Sequence, residues 1–367
     1  MADIYIERMA KTLIEYCTEV KKGDKVMIRG NNLAAPLVEE VYKETLLRGG
    51  HPELYLATAN TADIYFRYAQ DHQLEYTPPF LRYYIENVDV VITIDAEYNP
   101  KNLTNVNPEK ISKVQKARKV INETFMRRDG EGTLKWCLTV YPTHAMAQEA
   151  SMSLLEYEDF VYQACFVKNP DPVAQWRKLS QTQEKIVTYL NGKSELRIEG
   201  EDTELTASIE GRTWINSDAH RNFPSGEIFT GPVEDSVEGT IRFTFPGIYM
   251  GREIEDISLT FEKGKVVKAS AKKGDDFLQE MLNIDEGARR VGEIGIGSNY
   301  GITKFTKNIL FDEKIGGTIH LALGLSIPVT KGKNVSAIHW DILKDMKPGG
   351  RLYADGELFY EDGKFLI

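Results

Sequence analysis

The periodicity of apolar residues changes near residue 195, and this change constrains the fold more than any other feature of the chain. Before it, apolar stretches with a helical period alternate with short apolar runs of strand length, and 88–94 is a near-continuous run of this second kind. Such runs are typical of parallel strands whose two faces are both covered by helices. From Glu195 onward, apolar and polar residues alternate with a period of two, which is typical of antiparallel strands with one buried face.

These two patterns of apolar residues predict two domains. We expect an α/β N-terminal domain over residues 1–175, followed by a β-rich α+β C-terminal domain over residues 176–367, joined by a helix near 172–191. A length of 367 residues agrees with this division, because a single hydrophobic core rarely grows to serve so long a chain. A helical insert over 275–291 is expected to interrupt the C-terminal strands.

Three consecutive residues predict where one helix of the N-terminal half begins. Asn107, Pro108 and Glu109 follow one another as a capping side chain, a proline suited to the first helical position and an acid suited to the first turn. We therefore expect a helix to begin at residue 108.

Charge and hydropathy exclude several classes of partner. The formal net charge is −10 and no Lys/Arg-rich block offsets it, so a nucleic acid is not expected as a partner. The chain has no apolar run of the ~18 residues needed to span a bilayer, and we expect a cytoplasmic protein without a membrane partner. Cys17, Cys137 and Cys165 lie in apolar segments without CxxC spacing, and are expected to be small buried hydrophobes.

Two histidines of the β-rich half suggest a metal site. In the predicted strand over 336–341, His339 and Asp341 are two residues apart, so an imidazole and a carboxylate point to the same face. His320 is the polar residue in the middle of a second apolar strand over 318–324, where burying it without a partner is costly. A metal ion would satisfy both groups, although a lone histidine in a strand is more often a hydrogen-bonded core residue.

Two glutamates add further candidate ligands. Glu227 and Glu293 each follow a glycine at the edge of apolar sequence, where the glycine permits close approach of another backbone. Singly these are weak signals, since most glutamates are solvated. Together with His320, His339 and Asp341 they supply three carboxylates and two imidazoles. That set suits Zn²⁺, Co²⁺ or Mn²⁺ and suffices for two ions sharing a bridging ligand and activating one water molecule.

A competing interpretation concerns the glycine-rich segments 293–297 and 347–350, which superficially resemble a nucleotide-cofactor loop of the methyltransferase kind. Such a loop follows the first strand of a βαβ unit and opens a helix. Here about 70 residues remain after it, and they show the pattern of antiparallel strands. The context therefore argues against this interpretation.

The chain resembles the thermophilic metallo-aminopeptidases typified by aminopeptidase T and aminopeptidase S, a family without the HExxH helix of the zincins. The resemblance extends over essentially the whole length, and 141–143 and 156–160 look like its N-terminal domain. Four segments then match the active-site motifs of the family in the same order along the chain. They are 222–230 (NFPSGEIFT), 292–295 (GEIG), 320–324 (HLALG) and 338–341 (IHWD).

The resemblance implies an enzyme that removes N-terminal amino acids from peptides through a hydroxide held between two divalent metal ions. It implies a homodimer enclosing the active sites and a catalytic C-terminal domain. Either Glu293 or Asp341 would bridge the ions, and a carboxylate near Glu293, with Glu293 itself as the catalytic candidate, would handle protons. The implied metal ligands are Glu227, Glu293, His320, His339 and Asp341.

One position departs from the family pattern. The family carries a tyrosine seven residues after the first histidine, whereas this chain has Ile327 there. If that phenol stabilises the developing oxyanion, its loss costs about 10²–10³ in rate. Tyr300 is a candidate replacement, since it follows the Glu293 segment closely. The alternative hypothesis is a non-catalytic or weakly active metal-binding homologue.

Overall fold

The structure is a computed structural model that describes residues 3–367. The chain forms two compact units. The first comprises the chain up to Val173 together with Ala219–Pro224, and the second comprises Ala174–Asp218 and Ser225–Ile367.

The first unit is built on a five-stranded parallel sheet with the order β2-β1-β3-β4-β8. Its strands are β1 (Lys25–Asn31), β2 (His51–Ala57), β3 (Val90–Asp95), β4 (Lys135–Val140) and β8 (Asn222–Phe223). Its helices are α1 (Ile4–Thr12), α2 (Ala35–Leu47), α3 (Thr61–Tyr68), α4 (Asp71–Leu74), α5 (Pro79–Asn87), α6 (Pro108–Gly130), α7 (His144–Glu149) and α8 (Leu154–Ala164). The predicted α/β fold of this half is confirmed.

The N-terminus of α6 confirms the helix start read from the sequence. The Asn107 side chain accepts a hydrogen bond from the backbone N–H of Glu109 at 2.9 Å, and Pro108 occupies the first helical position. A proline loses nothing there, because the first N–H groups of a helix have no partner within the helix.

The second unit is mainly antiparallel sheet, as the period-two pattern predicts. An eight-stranded sheet has the order β14-β13-β10-β6-β5-β18-β19-β20, a five-stranded sheet has the order β17-β16-β15-β9-β7, and β11 and β12 form a hairpin. The strands are β5 (Glu195–Gly200), β6 (Thr203–Ser208), β7 (Ile215–Ser217), β9 (Glu227–Thr230), β10 (Glu238–Arg242), β11 (Gly247–Tyr249), β12 (Arg252–Ile254), β13 (Ser258–Glu262), β14 (Lys265–Ser270), β15 (Val291–Gly297), β16 (Thr318–Gly324), β17 (His339–Asp345), β18 (Arg351–Ala354), β19 (Glu357–Glu361) and β20 (Lys364–Phe365). The helices are α9 (Pro172–Leu190), α10 (Asp275–Leu282) and α11 (Ile309–Asp312).

One hydrophobic core joins the two large sheets of this unit. Leu196, Ile241 and Leu352 from the eight-stranded sheet and Ile294 and Leu321 from the five-stranded sheet belong to the same buried cluster. Each sheet therefore turns one apolar face inward, which leaves the other face of the five-stranded sheet available for polar side chains.

The predicted helical insert over 275–291 is wrong in its second half. Helix α10 ends at Leu282, a short 3₁₀ turn covers Gly287–Arg289, and β15 already begins at Val291. The Asp285 carboxylate accepts hydrogen bonds from the backbone N–H groups of Ala288 and Ala337. These bonds stabilise a loop where the apolar spacing alone suggests a longer helix.

Two smaller expectations concern hydropathy. Cys17, Cys137 and Cys165 are all buried, in agreement with the sequence. None of the helices in residues 3–367 is both long and apolar enough to cross a membrane.

Candidate metal centre

The candidate site lies on one face of the five-stranded sheet. The antiparallel register places His320 opposite Gly295, and places Ala322 opposite both Glu293 and Asp341. Residues that lie opposite each other in antiparallel strands point to the same face. Glu293, His320 and Asp341 therefore share a face, although they come from three different strands.

The same register brings in the two remaining side chains. Glu227, at the start of β9, lies opposite Gly297 of β15, and His339 precedes Asp341 by two residues on β17. The residues between them, such as Ile294 and Trp340, point to the opposite face and enter the hydrophobic core.

All five side chains singled out in the sequence converge. Glu293 has one carboxylate oxygen near each histidine: its Oε1 lies 3.2 Å from His320 Nε2, and its Oε2 lies 3.7 Å from His339 Nε2. Glu227 Oε2 lies 3.6 Å from His320 Nε2, and Asp341 Oδ2 lies 3.6 Å from His339 Nε2. One potential ligand atom from each of Glu227, Glu293 and His320 lies within 4.8 Å of the others.

Several polar atoms of this cluster are buried without a hydrogen-bond partner among residues 3–367. They are Glu227 Oε2, Glu293 Oε2, Asp341 Oδ1 and His320 Nδ1. Buried polar atoms are rarely left unsatisfied in proteins, because each one costs the free energy of its lost hydration. Carboxylate oxygens and imidazole nitrogens that meet in this way fit a divalent cation.

The orientation of His339 also suits a metal ligand. Its Nδ1 donates a hydrogen bond to the backbone carbonyl of Leu325 at 2.8 Å. With the proton on Nδ1, Nε2 carries the lone pair and faces Glu293 and Asp341. A backbone carbonyl commonly fixes the tautomer of a metal-bound histidine in this way.

The electrostatics of the cluster show the cost of burying its acids. Burial raises the pKa of Glu227 to about 8, although the Lys314 ammonium opposes this effect. Burial also raises the pKa of Asp341 to about 6, against the influence of His339. Burial lowers the pKa of His320, but its hydrogen bond to Glu293 and the charge of Glu227 outweigh this and raise it to about 10. A divalent cation would favour ionised carboxylates and neutral imidazoles instead.

The glycines that precede the two glutamates have the role expected from the sequence. Gly226 has a φ of +115°, and a Cβ at this position would lie 2.6 Å from Cβ of Asn299. A Cβ at Gly292 would lie 2.7 Å from the carbonyl carbon of Leu325. Neither position has room for a larger residue without movement of the backbone, so each glycine fixes the start of a ligand-bearing segment.

The family of the chain follows from a comparison over almost its full length. The model of the family described as "Thermophilic metalloprotease (M29)" matches residues 3–365. The chain belongs to this family. It is therefore a metallopeptidase, a hydrolase of peptide bonds, and a divalent metal is implied by the family.

Curated relatives and a solved structure agree with membership of the M29 family. "Aminopeptidase 2" of Geobacillus stearothermophilus is 28% identical, with 92% of this chain and 91% of that protein covered. "Aminopeptidase AmpS" of Bacillus subtilis strain 168 is 30% identical, with 71% of this chain and 72% of that protein covered. The structure of wild-type AmpT from Thermus thermophilus superposes with a TM-score of 0.85 over 99% of both chains, and at 22% identity it shows a shared fold.

This M29 chain has a buried cation that the sequence did not reveal. Lys314 follows α11, and its side chain is 0% exposed. Its Nζ lies 3.5 Å from Glu227 Oε1 and also contacts Glu313 Oε1. Despite burial, the charges of Glu227 and Glu313 raise the pKa of Lys314. A lysine among charged residues looks like a solvated residue in the sequence, and no pattern of spacing marks it.

A second unforeseen residue is Gly295, which makes room for His320. A Cβ at this position would overlap the imidazole, since it would lie 2.9 Å from Nδ1 and closer still to Nε2 and Cε1. The pairing of Gly295 with His320 depends on strand register, which the sequence does not state.

Tyr300 does not replace the family tyrosine whose position is occupied here by Ile327. The Tyr300 hydroxyl donates a hydrogen bond to the carbonyl of Gly363 at 2.7 Å. Its proton is thus already engaged at the C-terminal turn, so the proposed replacement gains no support. Ile327 lies two residues beyond Leu325, whose carbonyl orients His339.

Proposed function

We propose that this M29 metallopeptidase is an aminopeptidase that removes N-terminal residues with the help of two divalent ions, Zn²⁺, Co²⁺ or Mn²⁺. The supporting observation is the division of the Glu293 carboxylate between two histidines, with Oε1 near His320 and Oε2 near His339. A carboxylate in this position can bridge two ions. The exopeptidase part of the proposal is supported by the curated relatives, which are named as aminopeptidases.

The five side chains fall into two groups that share one residue. Glu227 and His320 would hold one ion, and His339 and Asp341 the other, with Glu293 as the bridge between them. This grouping follows the short distances, because each histidine lies within 3.7 Å of Glu293 and of one further carboxylate. Of the two bridging candidates, the contacts favour Glu293 over Asp341.

The bound ions would supply two effects, activation of a water molecule for attack and polarisation of the peptide carbonyl. Glu293 keeps a proposed part in proton transfer alongside its bridging role, because its carboxylate lies next to the more exposed histidine, His339. The side chain of His339 is 30% exposed and that of His320 is 0% exposed. Substrate would therefore approach from the His339 side.

Ile327 favours a second candidate function, a metal-binding homologue with little or no turnover, since the family phenol is absent. Homodimer formation and a cytoplasmic location stay predictions from the resemblance and the composition. The assignment of catalysis to a C-terminal domain spanning 176–367 also stays a prediction.

A metal-depletion experiment tests the proposed function. The protein is stripped with a chelator, reloaded separately with Zn²⁺, Co²⁺ or Mn²⁺, and assayed with aminoacyl anilides and short peptides. We expect cleavage to disappear on stripping and to return with at least one ion. Glu293→Ala is expected to lower kcat/KM by ~10³ or more, because several kcal/mol of metal-derived stabilisation is lost.

The controls separate the alternatives. Glu255→Ala removes an exposed carboxylate paired with Lys273 and should leave the rate unchanged. N-acetylated peptides should resist cleavage if the enzyme requires a free amino terminus. Absence of metal-dependent cleavage of every substrate would favour the non-catalytic homologue, and equal cleavage of acetylated peptides would contradict aminopeptidase specificity.

A further inference from the structure

One carboxylate beside the candidate metal centre has no part in the grouping above. Glu313 immediately follows α11, and its Oε1 contacts the ammonium of Lys314. The same ammonium lies 3.5 Å from Glu227 Oε1. Two carboxylates thus flank one buried cation, and Lys314 links Glu313 to the metal centre. A fully buried ammonium requires such anionic partners, so this arrangement fixes Glu313 in place.

Glu313 is more accessible than the acids of the cluster. Its side chain is 16% exposed, whereas the side chains of Glu227, Glu293 and Asp341 are 5%, 6% and 9% exposed. Among residues 3–367, Lys314 is its one ionic partner. Glu313 therefore retains an oxygen that a ligand can contact, while the other acids face inward toward one another.

Glu313 lies near the Glu227 side of the proposed dinuclear centre. Its Oε1 contacts the Lys314 ammonium, and that ammonium lies 3.5 Å from Glu227 Oε1. A single buried ammonium therefore separates the Glu313 carboxylate from a proposed metal ligand.

An enzyme that acts at a free amino terminus needs a subsite for the α-amino group of its substrate, and a carboxylate binds that group in its ammonium form. The carboxylates of Glu227, Glu293 and Asp341 would be occupied by the ions, which leaves Glu313, linked to Glu227 through Lys314, as the acid available to a substrate. We propose that Glu313 binds the α-ammonium group of the first residue of the peptide, and that Lys314 positions it. This inference rests on the proposed aminopeptidase function and adds the group that selects the free terminus.

Glu313→Gln tests the role, because it removes the charge and keeps the shape and an oxygen for Lys314. Two substrates are compared, an aminoacyl anilide and the matching α-hydroxyacyl anilide, which lacks the ammonium. We expect kcat/KM for the amino substrate to fall ~10–100-fold, mainly through KM, since a charge-assisted hydrogen bond is lost. The hydroxy substrate should change less than ~3-fold, so the variant loses the preference for an amino group.

A binding measurement gives a readout that does not depend on turnover. Calorimetry with an aminoacyl amide and its α-hydroxy counterpart should show that the metal-loaded wild-type protein prefers the ammonium and that Glu313→Gln does not. Glu253→Gln is the matched control, because Glu253 pairs with Lys307 at 2.9 Å and does not belong to the cluster. This control should keep the wild-type preference in both assays.

The outcomes distinguish the inference from the proposed function. An unchanged preference in Glu313→Gln would overturn the inference while the peptidase activity stands. Equal loss for both substrates, or loss of bound metal as measured by elemental analysis, would also overturn it, since Glu313 would then act on the centre itself. If the wild-type protein cleaves nothing, the proposed function fails, and calorimetry still decides whether Glu313 selects the ammonium.

Discussion

Replacing Lys314 with methionine is expected to destabilise the metal-free protein by about 3–5 kcal/mol, the usual cost of removing one partner from a buried ion pair. Methionine fills a similar volume without a charge, and it leaves the buried Glu227 and the partly exposed Glu313 without the cation that they share. The free energy of unfolding is measured by urea denaturation with and without bound metal. The loss should be smaller with metal bound, because the ions then compensate the charge of Glu227.

Lys265→Met is the matched control for this measurement. Lys265 also pairs with a glutamate, Glu286, but the side chains are 42% and 84% exposed. Exposed ion pairs contribute little to stability, so this variant should unfold at nearly the wild-type urea concentration. If Lys314→Met were as stable as the control, the buried pairing of Lys314 would be contradicted.

Gly295→Ala is expected to lower both metal affinity and kcat/KM by ~10²-fold, the upper end of the range for changes that disturb the orientation of a metal ligand. The added Cβ would overlap the His320 imidazole. The backbones of β15 and β16 are fixed by their pairing, so the ring must move. Metal affinity is measured by calorimetry on stripped protein, and activity is measured with an aminoacyl anilide.

Gly192→Ala is the control for Gly295→Ala. A Cβ at Gly192 would meet nothing closer than the Tyr189 carbonyl oxygen at 3.7 Å, so it should bind metal like the wild-type protein. Wild-type affinity in Gly295→Ala would mean that His320 can leave its present position without loss of the ion, and would exclude it as a ligand.

Much of the fold could be predicted because its signals are local. The cap at Asn107 and the continuous apolar run of β3 depend on neighbouring residues, and both elements form where the sequence indicates. The predicted helical insert is too long because the backbone N–H of Ala337, 52 residues away, donates a hydrogen bond to Asp285 and stabilises a loop there. The spacing of apolar residues within one segment does not predict a hydrogen bond to a distant residue.

In the candidate site, too, only the features with local sequence signals could be predicted. His339 and Asp341 could be paired from the sequence, since two-residue spacing on one strand fixes their common face. Glycine marked the segments of Glu227 and Glu293. The close approach of Gly295 to His320 depends on register between strands, and the burial of Lys314 depends on packing around α11. The Gly295–His320 approach and the burial of Lys314 both depend on contacts between distant segments, so neither can be predicted from one segment alone.

The most direct test of the proposed dinuclear centre is anomalous X-ray scattering from crystals of the stripped protein reloaded with Zn²⁺, Co²⁺ or Mn²⁺. Data collected on both sides of the absorption edge locate the bound ions. We expect two anomalous peaks, one among Glu227, Glu293 and His320 and the other among Glu293, His339 and Asp341. A single peak, or ions bound away from Glu293, would contradict the account.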